Sequence, residues 1–180
     1  MIRQEIWEEM KKAKTYQLSC LYYVDKKRKF NRNYNLCIIG VAALGAPTFF
    51  ISHWCAFVTT IAASVLEVIK SFLPAVCQSE EELSKIDGLA IYFGETLQKI
   101  EGLWNLHENT ESPDELSLNK ELSKVLKKSP ENETLMNKLI HSLSEKEDDK
   151  IRKQADDYLI QKFYEQKQFN IKRKSDKCAT

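Results

Sequence analysis

The chain has 180 residues, 29% of them charged, and a formal net charge of +1, so it is long enough for one ordinary domain and carries no large positive excess of the kind a nucleic-acid binder needs. The charge is uneven. Residues 1 to 35 carry nine Lys/Arg against four Asp/Glu, residues 36 to 78 carry only Glu67 and Lys70, and residues 79 to 180 carry 17 basic against 21 acidic groups. DNA and RNA are therefore excluded as expected partners, and the basic arm and the nearly uncharged segment after it become the informative regions.

The first 33 residues read as an amphipathic helix, with Ile6, Met10, Ala13, Gln17, Cys20 and Val24 on one face. They end in a basic cluster, Lys26, Lys27, Arg28, Lys29 and Arg32. No Asp, Glu, Lys or Arg then appears from Tyr34 to Leu66, and the apolar run continues from Leu36 to Val76. That is about twice the roughly 20 residues needed to cross a bilayer as helix, and it predicts a transmembrane hairpin over 34 to 78, with spans near 34–51 and 54–76 and a turn between Ile51 and Trp54. Pro47 either kinks the first span or moves the turn upstream. The basic cluster ahead of the first span predicts cytoplasmic N- and C-termini, hence a two-pass inner-membrane protein in contact with the lipid bilayer. Residues at the start are charged throughout, so no cleavable leader is expected.

Within the second span Thr60, Ser64, Glu67 and Ser71 follow at four, three and four residues and share one face. Two readings fit. Copies arranged about an axis would turn this stripe into a pore lining with a carboxylate ring; alternatively the hydroxyls bond back to their own helix and Glu67 pairs with Lys70.

Ser79-Glu-Glu-Glu82 is a reciprocal capping pattern and opens a helix over 79 to 107. Its apolar positions Leu83, Ile86, Ala90, Phe93, Leu97, Ile100 and Trp104 alternate three and four apart as a heptad seam. Such a seam packs against the N-terminal helix or joins copies of the chain, and it supplies the candidate oligomer contacts. Residues 108 to 170 form a helical extension, with helix starts at Ser112-Pro-Asp-Glu115, Ser129-Pro-Glu-Asn132 and Ser144-Glu-Lys-Glu147. A basic tail over 171 to 180 is expected to be disordered.

Catalytic signatures are absent from the sequence. Its five glycines form no phosphate loop, its five cysteines show no C-x-x-C spacing, and His53, His107 and His141 stand far apart without ligand partners at helical spacing. Asp148-Asp149 and Asp156-Asp157 lie in Lys- and Glu-rich helices and read as solvated faces. No enzyme activity, metal or cofactor is expected.

The charged helix, Lys26 to Arg32 ahead of the hairpin, the hairpin ending Ala63-Ser-Val-Leu-Glu67 and the heptad helix through Leu106 together resemble the SLATT family, over about residues 1 to 107. These are two-transmembrane effector domains of bacterial anti-phage nucleotide-signalling systems. The resemblance implies a homo-oligomeric pore or channel, gated from the cytoplasm by a nucleotide second messenger or the nucleotidyltransferase that makes it. The alternative is a membrane-anchored scaffold whose hairpin tethers a helical protein-interaction module. In both, the fold is an all-α membrane protein: a hairpin flanked by cytoplasmic coiled-coil-like helices, with a C-terminal helical extension.

Overall fold

The computed structural model describes residues 2–51, 53–72, 79–110, 112–140 and 143–165, and every regular element among them is helical. In chain order these are α1 (Ile2–Ile51), α2 (His53–Phe72), α3 (Glu80–Asn109), α4 (Glu115–Leu126), α5 (Ser129–Leu139) and α6 (Glu145–Ile160), which ends in a π-helical turn over Gln161–Glu165. The expected basic tail over 171 to 180 lies outside the described residues. Two compact units divide the chain inside α1 and α3: residues 1–21 with 86–180, and residues 22–85.

The larger unit is built on α1 and α3, whose residue numbers run in opposite directions along the contact. Trp7 lies 5.3 Å from Trp104 and Tyr16 lies 5.2 Å from Phe93, ring centre to ring centre, while Arg3 reaches Glu108 at 2.8 Å. These three pairs make the packing antiparallel. Gly94 fits the crossing because a Cβ there would lie 2.6 Å from Nε2 of Gln17, whose side chain fills that space. The core holds Ile2, Ile6, Met10 and Ala13 of α1, Leu97, Ile100 and Trp104 of α3, Leu118 and Leu122 of α4 and Leu159 of α6. Each fully buried Leu or Ile contributes on the order of 1.5–3 kcal/mol, so this cluster rather than helix propensity holds the unit together.

The three later helices start where local chemistry satisfies their free N–H groups. Asp114 caps α4 by accepting hydrogen bonds from the backbone N–H of Leu116 and Ser117 at 3.1 and 3.3 Å. The cap is thus two residues later than the expected Ser112, because the carboxylate of Asp114 reaches two donors that a residue ahead of Pro113 does not. α5 begins at Ser129 behind Lys128, which has no side-chain cap, with Pro130 in its first turn, so Ser129 is helical rather than capping. α6 carries the full capping box: Ser144 N–H donates to Glu147 at 2.9 Å, and the Ser144 hydroxyl accepts from the Glu147 backbone. The same reciprocal arrangement opens α3, with Ser79 N–H donating to Glu82 at 3.4 Å and Glu82 N–H to the Ser79 hydroxyl at 3.2 Å.

The smaller unit is a helical hairpin of α1 from Tyr22 onward and α2, with the first turn of α3. The Tyr34 hydroxyl donates to the Leu66 carbonyl, tying the two long helices together, and Arg28 lies 3.5 Å from Glu80. α1 continues through Pro47 to Ile51 and α2 starts at His53, so the expected turn at 51–54 centres on residue 52, which lies outside the described residues, as do 73–78 at the end of the second expected span.

One expectation is overturned here. Among the described residues no helix is long and apolar enough to cross a membrane, against the two-pass inner-membrane placement with both termini cytoplasmic. The physical reason lies in the helix lengths. α2 is free of Asp, Glu, Lys and Arg only from His53 to Leu66, 14 residues or about 21 Å of helix, short of a hydrocarbon core of about 30 Å. α1 carries charge as far as Arg32 and polar amides at Asn31, Asn33 and Asn35, at the start of what was expected to be the first span. The all-helical class stands, and the described helices do not form the bilayer-spanning hairpin.

Candidate functional site

The stripe expected to line a pore sits on the surface of α2. Thr60, Ser64 and Glu67 are all exposed, and the Ser64 hydroxyl donates to the Thr60 carbonyl at 2.9 Å, the local back-bonding that satisfies a hydroxyl within its own helix. The side chain of Ser71 lies outside the described residues, as does that of Lys70. The basic cluster engages its own neighbourhood: Lys29 pairs with Asp25 one turn back at 2.7 Å, Arg28 with Glu80, and Lys27 lies 5.6 Å from the Tyr23 ring centre. Lys26 and Arg32 are exposed.

The heptad seam of α3 goes inward. Leu83, Ile86, Ala90, Phe93, Leu97, Ile100 and Trp104 are each 5% exposed or less within this single chain, which leaves them no surface for a second copy. The unpartnered apolar surface is elsewhere, on α2. Trp54, Val58, Ile61, Val65 and Val68 follow at four, three, four and three residues, and all are exposed, Trp54 at 77% and Val58 at 60%. Phe57 and Ile69 widen the arc, and Leu36 and Ile39 of α1 extend the exposed apolar surface within the same unit. Ala62, Ala63 and Leu66, on the opposite side of α2, are partly covered. The polar stripe borders the arc on one side, so α2 has a covered face, an open apolar face and a polar edge between them.

In the larger unit, side chains distant in sequence form two charged nodes. Glu101, only 7% exposed, accepts from the Tyr158 hydroxyl at 3.1 Å and from Lys162 Nζ at 2.7 Å, and Lys162 also donates to the Tyr158 oxygen at 3.0 Å. Burial pulls the Lys162 ammonium down, but the hydrogen bonds and charge of Glu101 and Tyr158 outweigh it and hold its pKa above the ordinary value. Lys14 stacks 4.1 Å from the centre of the Tyr158 ring and donates to Gln17 at 3.0 Å. Burial sets its pKa below that of a free lysine, with the Glu101 charge opposing. The π-helical turn starts within this node, at the step where α6 delivers Lys162 to Glu101.

The second node joins α1 to α5. Lys12 meets Glu133 at 2.8 Å, and the Tyr16 hydroxyl donates to the other oxygen of the same carboxylate at 3.4 Å. Burial and the Glu133 charge raise the Tyr16 pKa; for Lys12 burial acts downward, and the bond to Glu133 reverses the sign. Cys20, one turn beyond Tyr16 on α1 and fully buried, has its thiol pushed up to about 12 by burial and by the charge of Asp87. It is a packed hydrophobe with an inert sulfur.

None of these pairings is visible from spacing: Glu101 and Lys162 are 61 residues apart, and Asp156, placed on a solvated face by its neighbours, meets Lys11 at 2.9 Å. Among the described residues no group of three or more His, Cys, Asp or Glu side chains could hold a metal ion. His107 lies beside Glu108, and His141 and the His53 side chain lie outside the described residues.

No family model, curated protein or solved structure matches the chain. The likeness to the SLATT family therefore rests on the sequence features alone.

Proposed function

We propose that this chain is a self-assembling helical scaffold: the open apolar face of α2 joins it to a second copy, and the larger helical unit is the module so displayed. The observation that carries this reading is the exposed heptad arc of Trp54, Val58, Ile61, Val65 and Val68. Contiguous apolar surface of this kind on a monomer marks an interaction site. Counting Leu36, Ile39, Phe57 and Ile69 with the arc, nine large apolar side chains among the described residues stand open on the hairpin besides Phe30. At on the order of 100 Å² of exposed surface apiece they offer roughly the 800 Å² per partner that a specific dimer buries.

A second copy fits the face better than an unrelated partner does. The heptad spacing is that of a helix that packs on its own kind, and the arc itself contains no charge that would need an opposite charge across the contact. A two-fold arrangement would lay two hairpins together as a four-helix bundle with identical surfaces in contact. The gated pore expected from the sequence needs two membrane crossings and is not carried forward; the interaction-module part of its alternative needs none.

Sedimentation velocity of the full chain tests the reading. Wild type is expected to shift from the 20.9 kDa monomer to a multiple of it as concentration rises. Ile61→Lys with Val65→Lys places two ammonium groups in the arc and is expected to hold the chain as a monomer at every concentration. A wild-type chain that stays monomeric throughout overturns the proposal.

A further inference from the structure

α5 is attached differently from the other helices of the larger unit. It contributes no residue to the core cluster that α1, α3, α4 and α6 share, and along its own length only Ser129 and Met136 are buried. Its start has no side-chain cap, whereas α4 begins on Asp114 and α6 on the Ser144 box. Beside its last turn a cleft of about 420 Å³, lined by Thr15 and Tyr16 of α1 and by Met136 and Ile140, keeps the contact from being a closed core. Short helices take most of their stability from tertiary packing, and this one, 11 residues long, has a single buried apolar side chain to offer.

One carboxylate joins α5 to α1. Glu133 meets Lys12 at 2.8 Å on one oxygen and accepts from the Tyr16 hydroxyl at 3.4 Å on the other. Glu9 precedes Lys12 by three residues and shares its helix face, so a single ammonium serves two carboxylates. Burial raises the Glu9 pKa; Lys12 opposes the rise, and the charges of Glu133 and Glu5 add to it. Docking α5 therefore gives Glu133 two partners and at the same time brings it toward a like charge.

We infer that α5 is a strap, latched to Lys12 and Tyr16 by Glu133 and opposed by Glu9, that swings off α1 as one piece while α1, α3, α4 and α6 stay packed. Opening it uncovers Met136 and the face of α1 that carries Tyr16. The motion belongs to the larger unit and does not depend on assembly through α2.

Amide hydrogen exchange of the ¹⁵N-labelled full chain, followed by NMR, tests this. α4 is the matched control, since it has 12 residues but places Leu118 and Leu122 in the core. The α5 amides from Glu133 to Leu139 are expected to share one protection factor, about tenfold or more below that of the α4 amides, and to respond little to low urea because a small surface opens. Glu133→Ala is expected to lower protection of α5 about 5- to 20-fold and to leave α3 and α4 unchanged. Glu9→Gln is expected to raise it about 2- to 5-fold, the opposite sign. The proposal is overturned if wild-type α5 is protected as well as α4, if Glu133→Ala lowers protection of every helix alike, or if Glu9→Gln leaves α5 unchanged or loosens it.

Discussion

The same helix, α1, carries apolar residues at helical spacing along both units: Tyr23 and Val24, at the start of the smaller one, are still buried, but the apolar residues farther along are not. In the larger unit Ile2, Ile6, Met10 and Ala13 are covered by α3, α4 and α6, whereas in the smaller unit Leu36 and Ile39 stand open beside an equally open α2. The difference is one of partners rather than composition. Three later helices return to α1 and α3 and roof over one pair of stripes, and a two-helix hairpin has only its inner faces to bury. The larger unit thus covers its stripes within one chain, and the smaller one leaves an apolar face of α2 open.

The strongest way to break that contrast is to open a hole in the covered unit. Phe93 is fully buried against Tyr16 and Tyr92. Phe93→Ala is expected to cost about 3–5 kcal/mol, read as a lower urea midpoint by circular dichroism. A loss under about 1 kcal/mol would mean that the α1–α3 interface is not a packed core.

Alkaline pH probes the same interface without a mutation. A thiol whose folded pKa stands above its unfolded value favours folding below the unfolded pKa, and that contribution is lost as pH rises toward the folded one. For Cys20 the window runs from about 9 to about 12, and stability is expected to fall there by at most about 1.4 kcal/mol per pH unit. Tyr16, Lys12 and Lys162, all with raised values, act in the same direction above about pH 10. Cys20→Ala should flatten the first part of the decline, between pH 9 and 10, even though it lowers the starting stability. An unchanged slope would show that the thiol ionises as freely in the folded chain as in the unfolded one.

A smaller effect is expected at the start of α4. Asp114→Ala removes the acceptor for two backbone N–H groups and should cost about 1 kcal/mol, with Asp114→Asn recovering most of it. Equal losses in the two variants would assign the effect to the charge at the helix start rather than to the cap.

Much of this architecture was legible in the sequence, and what was not has a physical cause. Capping boxes at Ser79 and Ser144 are local devices, so their residues announce them. The seam of α3 and the facing stripe of α1 were equally plain, yet periodicity names a face without naming what covers it. The sequence left open whether Leu83 to Trp104 packs on the N-terminal helix or joins copies; the structure spends them inside the chain and leaves open Trp54 to Val68, which fell within the expected second span. Glu101 escaped notice because a glutamate in a Glu- and Lys-rich helix looks solvated until Tyr158 and Lys162 arrive from a distant helix.

The smallest expected effect on folding sharpens the comparison most. Trp54 is largely exposed on α2, while Trp7 and Trp104 pack together in the larger unit. Trp54→Phe touches nothing that holds the larger unit and should change its stability by less than about 0.5 kcal/mol. At low concentration Trp54 supplies the acrylamide-accessible part of the emission, so the variant should lack that part. As wild-type concentration rises, assembly through α2 should shield Trp54 and make its quenching approach that of the variant, whose own quenching stays constant. If wild-type quenching is as strong in concentrated as in dilute solution, the open face of α2 is not where copies meet, and the contrast between a covered unit and an uncovered one then holds at every concentration.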